Sequence, residues 1–360
     1  MGEGVLSRYA EYLPITESTP MITLGEGDTP LVRSERLGKE LGCEDLYFKL
    51  EGCNPTGSFK DRGMVLAVAK AMEAHSETIM CASTGNTSAS AAAYGARFNL
   101  STVVVVPGAD IAKGKLAQAM AYGAKILSVS GSFDQALSVV RTFTERHPVT
   151  LVNSLNPNRL EGQKTAAFEV VDSLGEAPDY VFMPVGNAGN ITAYWRGFVE
   201  YRTRGFSRGT PRMMGFQAEN AAPIVLGHPV ASPATIASAI RIGNPASWKS
   251  ALAARDESGG TIDMVTDQEI LTAYRLLASR EGIFCEPASA AALAGLIKLS
   301  SQGLGLGGQR VVCIITGSGL KDPELASQSV ASEIIDVNPD IEEVEEALMT
   351  TVLGRGEGVD

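Results

Sequence analysis

The hydrophobic pattern of the chain alternates between short apolar runs and longer stretches with a helical period. Residues 102–106 (TVVVV) are continuously β-branched, which is typical of a parallel strand buried on both faces. Several such runs are followed by a loop of small residues and then by a stretch that favours a helix. This alternation predicts repeated β-α-β units, and therefore an α/β fold with mostly parallel, twisted sheets covered by helices.

The same pattern places the individual elements. The apolar runs predict strands at residues 45–50, 78–82, 102–106, 125–129, 150–152, 180–185, 212–217 and 311–315. Helical periodicity predicts helices at residues 5–13, 64–72, 89–98, 114–122, 134–145, 162–173, 269–281 and 288–299, and one that starts near residue 191. Residues 222–260 are predicted to form loop and short helix, and the acidic tail from Asp336 is expected to be a solvated helix.

The sequence NPTGSFKDR at residues 54–62 joins a predicted strand to a predicted helix. Proline and glycine in its first half favour a turn. Lys60 then falls on the first helical turn, where the positive end of the helix dipole disfavours an ammonium group. A lysine in that position is a candidate for an amine of lowered pKa, the form that attacks carbonyl carbon. The alternative is a solvated lysine that follows a turn.

Three further loops share one design, in which a strand leads into small residues. Residues 186–190 (GNAGN) suit a phosphate, because glycine lets the backbone approach and the free N–H groups at a helix start attract an anion. Residues 83–87 (STGNT) suit a carboxylate, and residues 316–319 (TGSG) place hydroxyls at a strand end. Such loops gather at the carboxyl edge of parallel strands, where ligands bind. Each loop alone is equally compatible with a tight turn or a helix cap without ligand.

Composition narrows the classes of function. The net charge of −11 argues against non-specific binding to nucleic acid and to anionic membrane surfaces. The five cysteines lack metal-ligand spacing, so we expect reduced thiols and no metal site. The chain has no leader-like start and no apolar run of about 18 residues, so we expect a cytoplasmic protein.

A candidate amine, a phosphate loop, a carboxylate loop and a strand-end hydroxyl are together what pyridoxal 5′-phosphate requires. The chain resembles the fold-type II pyridoxal-phosphate enzymes, which include tryptophan synthase β and the serine/threonine dehydratases. The motifs that carry the resemblance are residues 54–62 (NPTGSFKDR), 82–88 (ASTGNTS), 186–190 (GNAGN), 286–289 (EPAS) and 316–322 (TGSGLKD). Residues 25–31 (GEGDTPL) and 240–247 (IRIGNPAS) resemble the threonine synthases within that family. The resemblance spans about residues 20–325.

The resemblance implies a role for each matching residue toward the cofactor. Lys60 would be the Schiff-base lysine and the later proton carrier at Cα and Cβ of the substrate. Asn86 would bind the ring hydroxyl, and Thr316 would face the pyridine nitrogen. A neutral hydroxyl at Thr316 is expected to leave that nitrogen largely unprotonated. The residues that would bind the cofactor phosphate are Gly186, Asn187, Ala188, Gly189 and Asn190.

The resemblance also implies a reaction. Phosphate would be eliminated from Cγ of O-phospho-L-homoserine and water added at Cβ, which gives L-threonine. The residues implied for the substrate α-carboxylate are Ser83, Thr84, Asn86 and Thr87, and those for its phosphate are Lys115, Asn153, Ser154, Arg159 and Asn187. The alternative on the same fold is a serine/threonine dehydratase, whose substrates carry no phosphate. A catalytically silent amino-acid-binding protein is disfavoured, because the residues implied for the cofactor are intact.

The domain organisation follows from the same resemblance. Residues 1–53 and 155–335 would form a larger cofactor-binding domain, and residues 54–154 a smaller mobile α/β domain. Residues 336–360 would be an acidic tail outside both. Homodimers are usual in the family, so we expect one here.

Overall fold

The computed structural model describes residues 3–108, 113–130, 133–329 and 334–349. Within these residues the strands are β1 (Leu31–Arg33), β2 (Asp45–Leu50), β3 (Thr78–Ala82), β4 (Ser101–Pro107), β5 (Lys125–Val129), β6 (Thr150–Leu151), β7 (Tyr180–Pro184), β8 (Arg212–Ala218), β9 (Thr261–Val265) and β10 (Arg310–Ile315). The α-helices are α1 (Gly4–Arg8), α2 (Leu37–Glu40), α3 (Lys60–Glu73), α4 (Asn86–Arg97), α5 (Lys113–Ala121), α6 (Phe133–Arg146), α7 (Pro157–Leu174), α8 (Gly189–Thr203), α9 (Pro223–Leu226), α10 (Trp248–Ser258), α11 (Asp267–Glu281), α12 (Pro287–Ser301), α13 (Pro323–Ser329) and α14 (Ile341–Leu348).

The strands form two sheets. The larger sheet has the order β1-β2-β10-β7-β8-β9 and is parallel except for β1, which pairs antiparallel with β2. The smaller sheet has the order β5-β4-β3-β6 and is parallel throughout. Helices pack against both sheets, so the predicted α/β class with mostly parallel sheets is confirmed. The division into a larger and a smaller domain stays a prediction.

The predicted strands all correspond to observed strands, with ends that differ by one residue at most. The sequence did not predict β1 and β9, which lie at the two edges of the larger sheet. Both are only partly buried, so neither has the continuous apolar run of an inner strand. The predicted helix over residues 5–13 is instead split into α1 and a 3₁₀ turn at Ala10–Tyr12. Helix α7 begins earlier than expected because Asn156 caps it, accepting a hydrogen bond from the Asn158 N–H at 3.0 Å.

Helices α3 and α7 cross in direct backbone contact. A Cβ atom added to Gly162 on α7 would lie 2.1 Å from the backbone oxygen of Arg62 and 2.8 Å from the Cα of Gly63. A Cβ atom added to Gly63 on α3 would lie 2.5 Å from the backbone oxygen of Arg159. Glycine is therefore required on both helices for this close approach. The crossing brings the first turn of α3 next to the first turn of α7.

A buried network of charges surrounds this crossing. The Arg62 guanidinium donates to the Glu51 carboxylate at 2.6 and 2.8 Å and to the Glu169 carboxylate at 2.6 Å from each terminal nitrogen. Lys49 donates to Glu169 at 2.7 Å and to the backbone oxygen of Thr29 at 2.6 Å. Burial opposes ionisation of Glu169, but the charges and hydrogen bonds of Arg62 and Lys49 together outweigh it and lower the pKa of that carboxyl. The network fixes β2, α3, α7 and the segment before β1 to one another.

The described residues after Pro323 belong to a second compact unit. Its helix α14 lies within the predicted acidic tail, and none of its side chains is buried. Asp340 caps α14 by accepting hydrogen bonds from the N–H groups of Glu342 at 3.0 Å and Glu343 at 3.3 Å.

The described residues contain neither a candidate membrane span nor a candidate metal cluster. No helix among them is long and apolar enough to cross a membrane. No group of three or more His, Cys, Asp or Glu side chains in the same ranges is placed to hold a metal ion. The five cysteines are free thiols.

The helix crossing generates a stability prediction. Alanine has a helix propensity about 1 kcal/mol better than glycine, yet Gly162→Ala should destabilise the protein because the new methyl group meets the Arg62 backbone. Overpacking of this kind costs about 1–3 kcal/mol. Urea denaturation should therefore give a lower midpoint for Gly162→Ala than for Gly305→Ala, where a Cβ atom has open space. Equal midpoints for the two variants would contradict the crossing.

Candidate active site

The turn before α3 presents Lys60 at the start of the helix. Gly57 has a φ of +84°, a conformation that favours glycine. The Asp61 carboxylate accepts hydrogen bonds from the Thr56 N–H at 2.7 Å and from the Thr56 hydroxyl at 2.6 Å. Ser90 donates a third bond to the same carboxylate at 2.6 Å. Asp61 therefore holds the turn in place next to the lysine.

Backbone hydrogen bonds join this turn to the loop that follows β10. The Phe59 N–H donates to the Thr316 oxygen at 3.0 Å, and the Ser318 N–H donates to the Gly57 oxygen at 2.9 Å. Gly52 is in equally close contact, since a Cβ atom there would lie 2.7 Å from the Ser318 nitrogen. Lys60 and Thr316, which are 256 positions apart in the sequence, are thereby brought into one site.

The surroundings of Lys60 favour its neutral amine. Its side chain keeps some solvent contact but lies deep among protein atoms. Burial, with a smaller contribution from the charge of Arg159, lowers the pKa of Lys60 from 10.5 to about 7. Glu286 acts in the opposite direction without restoring the ordinary value. An amine of that pKa is a competent nucleophile and proton acceptor near neutral pH.

Glu286 links the two residues implied for the cofactor ring. Its carboxylate accepts a hydrogen bond from the Asn86 amide at 2.8 Å and another from the Thr316 hydroxyl at 2.9 Å. Thr316 also lies 2.9 Å from the Ser289 hydroxyl. Burial, the largest influence on Glu286, raises the pKa of its carboxyl group. Asn86, Thr316 and Lys60 thus surround one buried carboxylate.

The loop between β7 and α8 has the properties of a phosphate site. Ala188 precedes the helix with a φ of +63° and makes no side-chain capping bond, so the first N–H groups of α8 are left to a ligand. The Asn190 side-chain oxygen and nitrogen are buried without a hydrogen-bond partner. A Cβ atom on Gly186 would lie 2.9 Å from the Cα of Ile240, which leaves no room for a side chain there. These features fit the phosphate of pyridoxal phosphate.

Arg159 is a second cation with unused hydrogen-bonding capacity. The side chain is buried, and one terminal nitrogen donates to the Val152 oxygen at 2.7 Å. Its Nε and its other terminal nitrogen have no partner. Burial lowers the pKa of Arg159 to about 10, so the group stays cationic at neutral pH. A buried guanidinium with free donors is suited to an anion such as a phosphate.

The other residues implied for the substrate phosphate have different surroundings. Asn187 donates from its amide to the Ser154 hydroxyl at 2.8 Å and accepts from the Ala246 N–H at 2.7 Å. The Asn153 side chain makes two bonds of 2.8 Å with the backbone of Ala82, one as donor and one as acceptor. Asn153 is thus engaged in holding the end of β3. The side chain of Lys115 lies outside the described residues.

The residues implied for the α-carboxylate lie at the start of α4. The helix begins at Asn86, three residues earlier than predicted, and Gly85 before it makes no side-chain capping bond. Ser83, Thr84 and Thr87 are partly exposed beside these first N–H groups. The Ser83 hydroxyl accepts a hydrogen bond from the Gly85 N–H at 3.2 Å. An uncapped helix start with hydroxyls beside it suits a carboxylate.

Sequence reasoning missed Glu286 and Ser289 as site residues. Both belong to the motif of residues 286–289 (EPAS), which carried the family resemblance without any role for its side chains. The available signal was a carboxylate directly before Pro287, the first residue of an Ala-rich helix that is buried along most of its length. A charged residue at that position calls for a partner in the protein.

Comparisons with known proteins show which family the chain resembles. A family model described as pyridoxal-phosphate dependent enzyme matches residues 22–317. The threonine synthase of Halalkalibacterium halodurans is 60% identical over 336 residues, which is 93% of each chain. The threonine synthase of a Bacillus species is 56% identical over 354 residues, or 98% of this chain and 100% of that one. The matched family is the one that the sequence motifs indicated.

A solved structure supports the fold. Maize serine racemase superimposes with a TM-score of 0.71 over 84% of this chain and 91% of its own. The two sequences are 21% identical, so this likeness concerns the fold alone.

The environment of Lys60 generates a prediction on pH. In protein freed of cofactor, the rate at which an amine-reactive reagent labels Lys60 should rise with pH through about 7, because the neutral amine is the reactive form. Free Nα-acetyllysine, whose amine titrates at about pH 10.4, provides the reference in the same experiment. Peptide mass spectrometry measures the labelling at Lys60 itself. A midpoint that coincides with that of acetyllysine would contradict the buried environment.

Proposed function

The chain belongs to the pyridoxal-phosphate dependent enzyme family, and from that premise we propose how it works as a threonine synthase. Its cofactor is pyridoxal 5′-phosphate, and its reaction is that of a carbon–oxygen lyase in threonine biosynthesis. The substrate is O-phospho-L-homoserine, which reacts with water to give L-threonine and phosphate. Relatives of 52–60% identity over nearly the whole chain support this function.

Different residues of the site bind different parts of the cofactor. Lys60 holds it covalently through Nζ, and Asn86 and Thr316 bind the polar atoms of its ring. Residues 186–190, which are the loop before α8 and its first two residues, bind its phosphate through backbone N–H groups, with the unpartnered Asn190 side chain beside them. Ser83, Thr84, Asn86 and Thr87 bind the substrate α-carboxylate at the start of α4.

Proton transfer is the work of Lys60. When bound, the cofactor supplies an electron-withdrawing ring that acidifies the proton on Cα of the substrate. Lys60 Nζ, as a free amine, would remove that proton, release it, and then remove a proton from Cβ. Phosphate would leave from Cγ, water would add at Cβ, and one proton each would be returned to Cγ and Cα. The lowered pKa of Lys60 suits both transfers, because the group accepts and releases protons near neutral pH.

The buried guanidinium of Arg159, with its unpartnered donors, favours this substrate over one without a phosphate. The α8 loop is already assigned to the cofactor phosphate, so the unpartnered donors of Arg159 are left for another anion. Ser154 and Asn187 hydrogen-bond each other next to α7 and the α8 loop. We assign all three to the substrate phosphate, with Lys115 as a further cation. Asn153 contributes by holding the end of β3 through Ala82.

The alternative is a serine/threonine dehydratase on the same scaffold. Its substrate has no second anion, so a buried guanidinium with two unpartnered nitrogens would be an unexplained cost. Binding of a substrate phosphate by Arg159 would therefore distinguish a threonine synthase from a dehydratase.

We also propose that the protein is a cytoplasmic homodimer that binds neither nucleic acid nor membranes. The family resemblance supports the dimer, and the net charge of −11 argues against binding to nucleic acid and to anionic membrane surfaces. Light scattering during size exclusion should give twice the chain mass of 37.8 kDa.

Residues 54–154 are proposed to form a smaller domain that closes over the substrate. X-ray scattering with and without substrate would detect this closure.

Gly189 provides a test of the cofactor phosphate site. A Cβ atom there would come no closer than 3.4 Å to the rest of the protein, at Leu160, so Gly189→Ala should fold normally. The methyl group would push the phosphate away from the N–H groups of α8. If one charge-assisted bond worth roughly 1.5–3 kcal/mol is lost, the dissociation constant for pyridoxal phosphate should rise roughly 10- to 150-fold. Unchanged affinity in folded Gly189→Ala protein would count against this loop.

Arg159 provides the test of the substrate. Loss of one charge-assisted bond to the substrate phosphate, worth roughly 1.5–3 kcal/mol, should lower kcat/KM for phosphohomoserine roughly 10- to 150-fold in Arg159→Ala. Any side reaction with serine should change far less, since serine carries no phosphate. Steady-state kinetics with both substrates measure the difference.

The matched control is Arg196→Ala, which removes an exposed arginine from α8 that is 3.6 Å from Glu161. This variant should keep the wild-type kinetics with both substrates. Equal losses for phosphohomoserine and serine in folded Arg159→Ala protein would mean that Arg159 does not bind the substrate phosphate.

A further inference from the structure

Gln217, near the end of β8, is a fully buried amide whose nitrogen is not used by the fold. Its side-chain oxygen accepts hydrogen bonds from the N–H groups of Ile224 at 2.9 Å and Val225 at 3.3 Å. Only the oxygen of an amide can accept, so these two bonds fix which way the group is turned. The nitrogen, Nε2, has no hydrogen-bond partner among the described residues. A buried donor left in that state is costly, which makes Gln217 a candidate for binding a ligand.

Strand geometry gives the face of the sheet on which Gln217 lies. Successive side chains of a strand point to opposite faces. The Phe216 ring faces α12, since a Cβ atom added to Gly295 of that helix would lie 2.3 Å from it. Gly215 faces α8, because a Cβ atom there would lie 3.0 Å from the side chain of Ile191. Gln217 follows Phe216 and is two residues beyond Gly215, so it lies on the α8 face.

The register of β7 and β8 places Gln217 beside the loop assigned to the cofactor phosphate. The two strands are parallel, and the Val185 N–H donates to the Phe216 oxygen at 2.7 Å. Gly186, the first residue of the loop, therefore lies within one residue of the level of Gln217. Because α8 connects the end of β7 to the start of β8, its first turn lies at this same edge of the sheet.

Asn190, on that first turn of α8, also has polar atoms to spare. Its side-chain oxygen and nitrogen are buried without a partner in the part of the chain that the structure describes. No side chain caps the first N–H groups of the helix. Donors from the backbone and from two amide side chains are thus gathered at one edge of the sheet. A phosphate, which has several acceptor oxygens, can bind such a group of donors.

We infer that Gln217 is a further cofactor-binding residue, whose Nε2 donates a hydrogen bond to the phosphate of pyridoxal phosphate. The inference rests on the proposed phosphate site at residues 186–190 and holds for either reaction. It gives the two ends of one amide separate tasks, since the oxygen holds the start of α9 and the nitrogen holds the cofactor.

The test compares pyridoxal phosphate with pyridoxal, which lacks the phosphate, as ligands of protein freed of cofactor. Gln217→Met keeps the approximate size of the side chain but removes the donor. Its dissociation constant for pyridoxal phosphate should rise roughly 10- to 150-fold, the effect expected for one charge-assisted hydrogen bond. The dissociation constant for pyridoxal should stay at the wild-type value. A merely structural role of Gln217 would weaken both ligands alike.

A second variant separates the nitrogen from the oxygen that holds α9. Gln217→Glu keeps an oxygen that accepts from Ile224 and Val225, and replaces the donor by an acceptor. The ratio of its dissociation constant for pyridoxal phosphate to that of the wild type should rise from pH 7 to pH 9, because ionisation of the introduced carboxyl group repels the phosphate. If Gln217→Met does not fold, this variant decides the question.

The matched control is Gln309→Met, which changes a glutamine just before β10, at the opposite edge of the same sheet. This variant should bind both ligands as the wild type does. Wild-type preference for pyridoxal phosphate over pyridoxal in the folded Gln217 variant would overturn the inference, and would leave ordered water as the partner of Nε2.

The outcome is separable from those of the proposed phosphate site and the proposed reaction. Gly189→Ala is measured with the same two ligands. A lost preference for pyridoxal phosphate in Gly189→Ala, with none lost in Gln217→Met, would overturn the role of Gln217 alone, and the reverse would count against the loop alone. Neither measurement involves the substrate, so failure to make threonine would overturn the proposed function without affecting Gln217.

Discussion

The site depends on the glycine-to-glycine crossing of α3 and α7. Gly63 and Gly162 let the two backbones meet, and this contact places the first turns of both helices side by side. One turn carries Lys60 and the other carries Arg159, so the same crossing positions the lysine proposed to bind the cofactor and the arginine proposed to bind the substrate phosphate. A side chain at either glycine would separate them. Packing and catalysis are therefore set by the same backbone contact.

Two arginines near this crossing show how the protein uses buried charge. Arg62 has its guanidinium paired with Glu51 and Glu169, which compensates the cost of burial and connects the surrounding elements. Arg159 is equally buried but keeps two nitrogens without a partner. Its charge also helps to lower the pKa of Lys60. The first arginine stabilises the fold, and we propose that the second is completed by the substrate.

Much of the fold and part of the candidate site were predictable from the sequence, for physical reasons that differ between residues. The inner strands β2 and β3 were found at their true bounds, because local apolar runs and turn residues specify them. The edge strands β1 and β9 were missed, since their pairing depends on neighbours and not on a buried run. Glu286 had no role until the structure placed Asn86 and Thr316 against it. Hydrogen-bond partners of that kind come from distant parts of the chain, and no local pattern encodes them.

The reaction itself is tested most directly by following oxygen from labelled water. The enzyme, loaded with pyridoxal phosphate, is given O-phospho-L-homoserine in H₂¹⁸O, and the products are analysed by mass spectrometry. The account predicts threonine and phosphate in equal amounts, with the label in the threonine hydroxyl and none in the phosphate, because the bond from carbon to oxygen is the one that breaks. Labelled phosphate with unlabelled homoserine, or 2-oxo acid in place of threonine, would contradict it.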